Sequence, residues 1–197
     1  MVRSRFLLAF WFQVLMHFDK RPRKIESLLV CLQSRQMIHL QSISCNLVPI
    51  VPSKPIYVRE DDENVLVKAF QNCRKMDEEC RVQRLAQSIV PCPKILGTVC
   101  ENGKGYLCME RIRGKTIYEQ YDEFDIPSKI WVQIHSIVSI LFHNNLHYVD
   151  ITPHNFMIEE GTEKVYVIDF GHCYEKRVNW FLKEFLDGEN EWNPDFE

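Results

Sequence analysis

The chain has 197 residues, 46% hydrophobic and 26% charged, with a formal net charge of −3. That balance excludes wholesale disorder, and seven Gly and nine Pro exclude a collagen-like or low-complexity chain. No apolar run reaches the roughly 18–20 residues that span a bilayer, and the near-neutral charge makes no overall case for a nucleic-acid binder.

The charge is uneven along the chain. Residues 1–60 hold nine Lys/Arg against three acids, a net +6, so the remainder carries −9. Arg3 and Arg5 precede a mostly apolar run from Phe6 to Leu15, and basic residues follow at Lys20–Lys24. This pattern suits a helix packed on the body, a dispensable extension, a weak membrane-surface contact through residues 1–24, or a targeting presequence. Residues 1–36 are read as an extension, and the folded body is expected to start near Met37.

Met37–Leu47 and Ile56–Arg59 read as strands separated by Pro49, Pro52 and Pro55. After a polar turn at Asp61–Asn64 comes the apolar strand Val65–Phe70, with Lys68 inside it. Cys73–Ile89 has Met76, Cys80, Leu85 and Ile89 near helical period, and Pro91 and Pro93 stop it. Lys94–Cys100 and Tyr106–Glu110 are strands joined by a hairpin turn at Glu101–Gly105. Arg111–Gly114 is a polar connector, and Lys115–Tyr121 a short helix. Pro127 opens a long helix to about Asn144, with Ile130, Ile134, Ile137, Val138 and Leu141 on one face. The segment Leu146–Ile158, a turn at Glu159–Lys164 and the strand Val165–Phe170 follow. The order predicts an α+β fold with two lobes about the 111–114 connector, leaving a cleft between them.

None of the eight cysteines forms a CxxC pair, and Cys80, Cys100 and Cys108 fall in segments that read as core. The expectation is free, buried thiols in a reducing, cytoplasmic compartment, and no zinc site. His143, His147, His154 and His172 are expected to be structural.

The chemistry concentrates between His147 and Gly171. Asp150 and Asn155 are five residues apart with Pro153 between them, so they sit on a loop. Asp169 ends an apolar strand and is followed by Phe170 and Gly171. Two acids and an amide at strand ends are oxygen ligands of the kind Mg²⁺ accepts beside phosphates. Read without further context, Asp150 and Asn155 also fit a plain structured turn, Lys68 a lysine snorkelling from a sheet edge, and Glu78 and Glu79 a solvated helix face.

The D-x4-N of Asp150–Asn155, the strand ending Asp169-Phe170-Gly171, and the upstream strand Val65–Lys68 together resemble the protein-kinase-like superfamily. The resemblance covers roughly residues 37–175 and is closest in style to compact RIO-like, KEOPS-complex and aminoglycoside-type kinases. It implies a small β-rich N-lobe over residues 37–110 and a shortened helical C-lobe over 111–197. It also implies ATP and Mg²⁺. Asp150 would be the catalytic base, Asn155 and Asp169 would hold the metal, and Lys68 would contact the α/β-phosphates. Lys68 would pair with an acid on the next helix, Glu79 ahead of Glu78. The segment Met109–Ile112, with Glu110 and Ile112, would be the hinge whose backbone reads adenine.

The sequence departs from the pattern in three places. Residues 46–57 contain no glycine where a Gly-rich phosphate loop should lie, and proline has no N–H to donate. Tyr148 and Val149 precede Asp150 in place of the usual pair. Only 26 residues follow Gly171; Trp180, Phe181, Phe185, Trp192 and Phe196 can pack one helix there. The reading is a kinase acting on a Ser/Thr hydroxyl of a protein. The alternatives are a pseudokinase-like scaffold with a regulatory protein partner, and a small-molecule phosphotransferase.

Overall fold

In a computed structural model of the chain, the structure describes residues 47–50, 54–121, 125–175 and 179–196. The chain divides into residues 1–38 and 39–197, and all described residues belong to the second unit. The expectations for residues 1–36, and for a strand over 37–46, lie outside the described residues. No described helix is long and apolar enough to cross a membrane.

Five antiparallel strands form the upper sheet: β1 (Leu47–Pro49), β2 (Ile56–Arg59), β3 (Val65–Phe70), β4 (Ile95–Glu101) and β5 (Lys104–Glu110). Their spatial order is β1-β2-β3-β5-β4. β3 is therefore the central strand, and Lys68 does not sit at a sheet edge. The β4–β5 turn is tighter than the sequence suggested. Asn102 and Gly103 alone carry it, both at positive φ (52° and 77°), the backbone a two-residue hairpin needs.

Helix α1 (Cys73–Ala86) packs on this sheet. Asn72 caps it by accepting from the Lys75 N–H at 2.9 Å. Gly105 of β5 permits the approach, because a Cβ there would lie 2.7 Å from Met76 Cβ. The helix ends at Ala86 rather than Ile89; the Ile89 and Val90 N–H groups turn back to Ala86 O. Its buried face is Met76, Glu79, Cys80, Val82, Gln83 and Ala86, while Leu85, expected inside, is exposed.

The lower half contains β6 (Gly114–Thr116), α2 (Ile117–Gln120), α3 (Ser128–His143), β7 (Leu146–Tyr148), β8 (Phe156–Glu159), β9 (Val165–Val167), β10 (Cys173–Glu175) and α4 (Trp180–Asp187). β6, β8 and β9 make one small sheet in that order, and β10 pairs with β7. The sequence reading missed β6 and β10, three-residue strands with no periodicity of their own to betray them. Ile130, Ile134, Ile137, Val138 and Leu141 of α3 are all buried, as their spacing requires. They meet Phe181 and Phe185 of α4, Phe156 of β8 and Phe170 in one continuous core. Val82, Ala86, Val90 and Cys92 belong to that same core, so the end of α1 is seated in the lower half. Two small apolar clusters complete the upper half. The architecture is α+β, with a β-rich N-lobe and a helical C-lobe in a kinase-like fold.

One cysteine expectation is overturned. Cys73 and Cys100 form a disulfide, with their Cα atoms 5.7 Å apart. Cys100 pairs across the sheet with Gly105, and Gly105 is where α1 comes down on β5, so tertiary packing brings together residues 27 apart in sequence. Cys80, Cys92, Cys108 and Cys173 are free and buried, as expected for four of the eight.

Candidate active site

The cleft between the halves is a cavity of about 720 Å³. Lys68, Glu79, Glu110, Ile112, Asn155 and Asp169, six of the seven residues singled out in the sequence, line it. The seventh, Asp150, is joined to Asn155 within the β7–β8 loop.

At the centre is a three-membered ion cluster. Lys68 Nζ donates to Glu79 Oε1 and Oε2 at 2.8 and 3.0 Å, and to Asp169 Oδ1 at 2.8 Å. Glu79 is the partner, not Glu78, which is exposed and faces Arg74. Helical period explains the choice. Glu79 shares the inward face with Met76, Cys80 and Gln83, and Glu78 is turned a further 100° away. Burial alone would lower the Lys68 pKa, but the carboxylates of Asp169 and Glu79 outweigh it and hold it above its ordinary value. Burial pushes the Glu79 carboxyl above its usual range, against the pull of Lys68. Desolvation would also raise Asp169, but the Lys68 ammonium holds it below the usual carboxylate value.

Asp169 lies in the left-handed region at φ 59°, which breaks the strand after Val167. Asp tolerates this conformation better than most residues. The Gly171 N–H donates to Asp169 Oδ1 at 3.1 Å and steadies the turn. The turn sends Asp169 into the cleft and Phe170 into the core against Tyr148, ring centroids 5.8 Å apart.

The β7–β8 loop is held by hydrogen bonds more than by charge. Asn155 Nδ2 donates to Asp150 O at 3.1 Å, which leaves its side-chain oxygen free to face a cation. The Thr152 hydroxyl donates to Asp150 Oδ1 at 3.4 Å, and Asp150 Oδ2 lies 3.0 Å from His172 Nδ1. Both oxygens of the proposed base are thus oriented. Sequence reasoning missed three supports of this loop. Tyr148, fully buried, donates its hydroxyl to Ile168 O at 2.7 Å; burial and the nearby Asp150 carboxylate raise its pKa and keep it protonated. His172 approaches Asp150 from beyond the Asp169–Gly171 turn. Asn193, buried near the C-terminus, donates from Nδ2 to Val149 O at 2.6 Å and from its N–H to Ile151 O at 2.8 Å. Only the replacement of the usual pair by Tyr148 and Val149 hinted at this in the sequence.

Among the described residues, no group of three or more His, Cys, Asp or Glu could hold a metal by itself. The four histidines have separate surroundings: His143 bonds Ser139, His147 stacks on Phe142, His154 on Tyr118, and His172 meets Asp150. The donor set nevertheless fits Mg²⁺. Asn155 and Asp169 offer two hard oxygens on one cleft, and Mg²⁺ characteristically takes one or two protein oxygens and completes its shell with phosphates and water.

At the hinge, the Glu110 N–H donates to Lys94 O and the Arg111 N–H to Asn64 O, both at 2.8 Å, so the connector is pinned to both sides of the sheet. A second groove of about 790 Å³, between α3 and α4, contains none of these residues.

The fold is kinase-like, and these side chains line its cleft. No protein-family model matches the chain. Among curated proteins it is similar to the 3-deoxy-D-manno-octulosonic acid kinase of Haemophilus influenzae, 24% identical over 130 residues, 60% of this chain and 53% of that protein. It is also similar to the EKC/KEOPS complex subunit BUD32 of Encephalitozoon cuniculi, 28% identical over 100 residues, 50% of this chain and 47% of that protein. The chain spans about half the length of the curated relatives it matches. These similarities support the protein-kinase-like superfamily at low identity.

Proposed function

We propose that the chain is a Mg-ATP-dependent kinase that transfers the terminal phosphoryl group to a hydroxyl, with Ser/Thr of a protein as the first reading of the acceptor. The observation that carries it is the convergence of Lys68, Glu79 and Asp169 within 3.0 Å contacts, on the cleft that also holds Asn155. An apolar strand has no folding reason to carry a lysine that meets two carboxylates from other elements, and such clusters mark functional sites.

In this reading the acceptor oxygen bonds to the terminal phosphorus as the bond from that phosphorus to the bridging oxygen of ADP breaks. The hydroxyl proton passes to Asp150, whose carboxylate is held by Thr152 and His172. Lys68 binds the phosphates, and Glu79 keeps its ammonium aimed into the cleft. Asn155 and Asp169 would hold Mg²⁺, which would neutralise phosphate charge when bound. The hinge backbone at Glu110 and Ile112 reads the base.

A small-molecule acceptor is the second reading, favoured by the Haemophilus relative, which is named a kinase of 3-deoxy-D-manno-octulosonic acid. The glycine-free 46–57 segment favours a third, a nucleotide-binding scaffold without transfer. Labelled-phosphate transfer from ATP, with and without Mg²⁺, onto a protein mixture and a metabolite panel separates them. Mg-dependent transfer that is lost in Asp150→Ala, with ATP binding retained, is the expected result. Transfer unchanged in Asp150→Ala would defeat the assignment of the base.

A further inference from the structure

We propose that the Cys73–Cys100 bridge is a reversible redox site, opened by a dithiol, that holds α1 in the orientation in which Glu79 meets Lys68; its effect on the cleft rests on the nucleotide reading above. Phe70 of β3, Gly105 of β5 and Cys100 of β4 form one row across the upper sheet. Only Gln71 and Asn72 lie between β3 and α1, so the chain ties the start of the helix to one end of that row. Cys73, the first residue of α1, lies over the middle of it: a Cβ at Gly105 would be 3.2 Å from Cys73 Cα. The bridge to Cys100 ties the helix to the other end. One attachment leaves a joint about which a helix can turn. Two attachments on either side of β5 fix its direction.

That direction matters because Glu79 lies between two different anchors. C-terminal to it, Arg81 pairs with Glu175, and Val82 and Ala86 sit in the lower core. N-terminal to it, the sheet is met by Met76, in the small cluster with Leu107 and Met109, and by the bridge. Glu79 is about 9 Å along the helix from Cys73. Both its contacts with Lys68 are within 3.0 Å, a geometry that a modest turn of α1 breaks. With the bridge open, α1 is held chiefly by the lower half, and the Lys68–Glu79 contacts loosen.

The site is open to reaction, since Cys100 is exposed and Cys73 half-buried. The thiolate of a dithiol attacks Cys100 Sγ. The bond to Cys73 Sγ breaks, and Cys73 leaves as a thiolate and then takes a proton. The second thiol of the reductant closes on the sulfur of the mixed disulfide and releases Cys100. Two electrons and two protons pass to the protein, and the dithiol ends as its own disulfide. The first turn of α1 carries Arg74 and Lys75 and no acid, which favours the Cys73 thiolate as leaving group.

The test is equilibrium binding of labelled Mg-ATP to the full chain, oxidised and after reduction with dithiothreitol, beside the Cys73→Ser/Cys100→Ser double variant. Mass spectrometry counts the bridge in each sample. In the expected result the reduced chain binds Mg-ATP about fivefold or more weakly, and re-oxidation with glutathione disulfide restores the affinity. The double variant matches the reduced chain with or without reductant. By linkage, Mg-ATP shifts the exchange equilibrium between bridge and dithiol by the same factor. Equal Mg-ATP affinity in the oxidised and reduced chains overturns the inference and leaves the nucleotide reading intact. A bridge that opens only in urea, or a double variant that still responds to the reductant, overturns it too. A wild-type chain that binds no Mg-ATP in either form overturns the nucleotide reading. The hold on α1 is then judged by hydrogen exchange of the Met76–Gln83 amides: faster exchange on reduction supports it, and unchanged exchange overturns it.

Discussion

Above the cleft, the described structure buries little and pairs charges; below it, the chain buries much and pairs few. The upper sheet has two small apolar clusters, Val65, Val67 and Cys108 on one side and Met76, Cys80, Leu107 and Met109 on the other. The lower half has one core running from Ile117 through Phe156 and Phe170 to Phe185, and the end of α1 is anchored in it. The difference separates two tasks. The lower core fixes the β7–β8 loop through hydrogen bonds from Tyr148 and Asn193. The upper half contributes Lys68 and Glu79, whose charges pair with each other, Lys68 also meeting Asp169 and Glu79 also meeting the Phe170 backbone from below. Stability is thus expected to reside below the cleft, and sensitivity to charge above it.

The harshest break in this comparison is Lys68→Met. It should lower phosphoryl transfer by about 10²–10³-fold while the sheet stays folded by circular dichroism. A variant that kept half the wild-type rate would mean that the ion cluster is structural. Next come two core truncations measured by urea unfolding. Phe185→Ala should cost about 3–5 kcal/mol, and Leu107→Ala in the upper cluster less, near 2 kcal/mol at the low end of the usual range for such changes. A Leu107→Ala loss equal to that of Phe185→Ala would erase the difference between the halves.

Asn193→Ala is a smaller and more specific change. It leaves Val149 O buried without its donor, which should cost about 1–3 kcal/mol. Transfer should slow while Mg-ATP affinity holds, because Asn193 touches the Asp150 side of the cleft and not Lys68. Equal losses in both would mean that the tail supports the whole cleft. The mildest test concerns His135, which stacks on Phe185 at 4.3 Å and whose pKa desolvation lowers below its ordinary 6.5. The unfolded chain then binds more protons than the folded one below that value. The contribution of His135 is therefore present above pH 6.5 and lost as pH falls through its depressed folded value. Urea midpoints at about pH 7.5 and about pH 5 should fall further for wild type than for His135→Gln; parallel shifts would place the acid sensitivity elsewhere.

The residues that meet at the cleft differ in how far the sequence betrayed them. Lys68 stood out because a charge inside an apolar strand is costly, and Asp169 because an acid before Phe-Gly ends a strand abruptly. Glu79 could be preferred to Glu78 only through the family pattern, since the helical period as read placed Leu85 inside and the structure turns it out. His172, Tyr148 and Asn193 were not legible as supports of Asp150. Each acts on an atom 20 to 44 residues away, at a distance fixed by packing and not by spacing. The same holds for the Cys73–Cys100 bridge, which depends on the β4–β5 register and on Gly105 admitting α1.

The sequence by itself determined the types of the longer elements, the buried face of α3, the α+β class and the side chains of the cleft, because local periodicity and the cost of burying charge are properties of short segments. Only the tertiary structure decided that β3 is central, that Lys68 joins Glu79 and Asp169 at once, and that residues near the C-terminus hold the β7–β8 loop. Those outcomes depend on strand order and long-range packing, which are settled by the shared core and not by any segment alone.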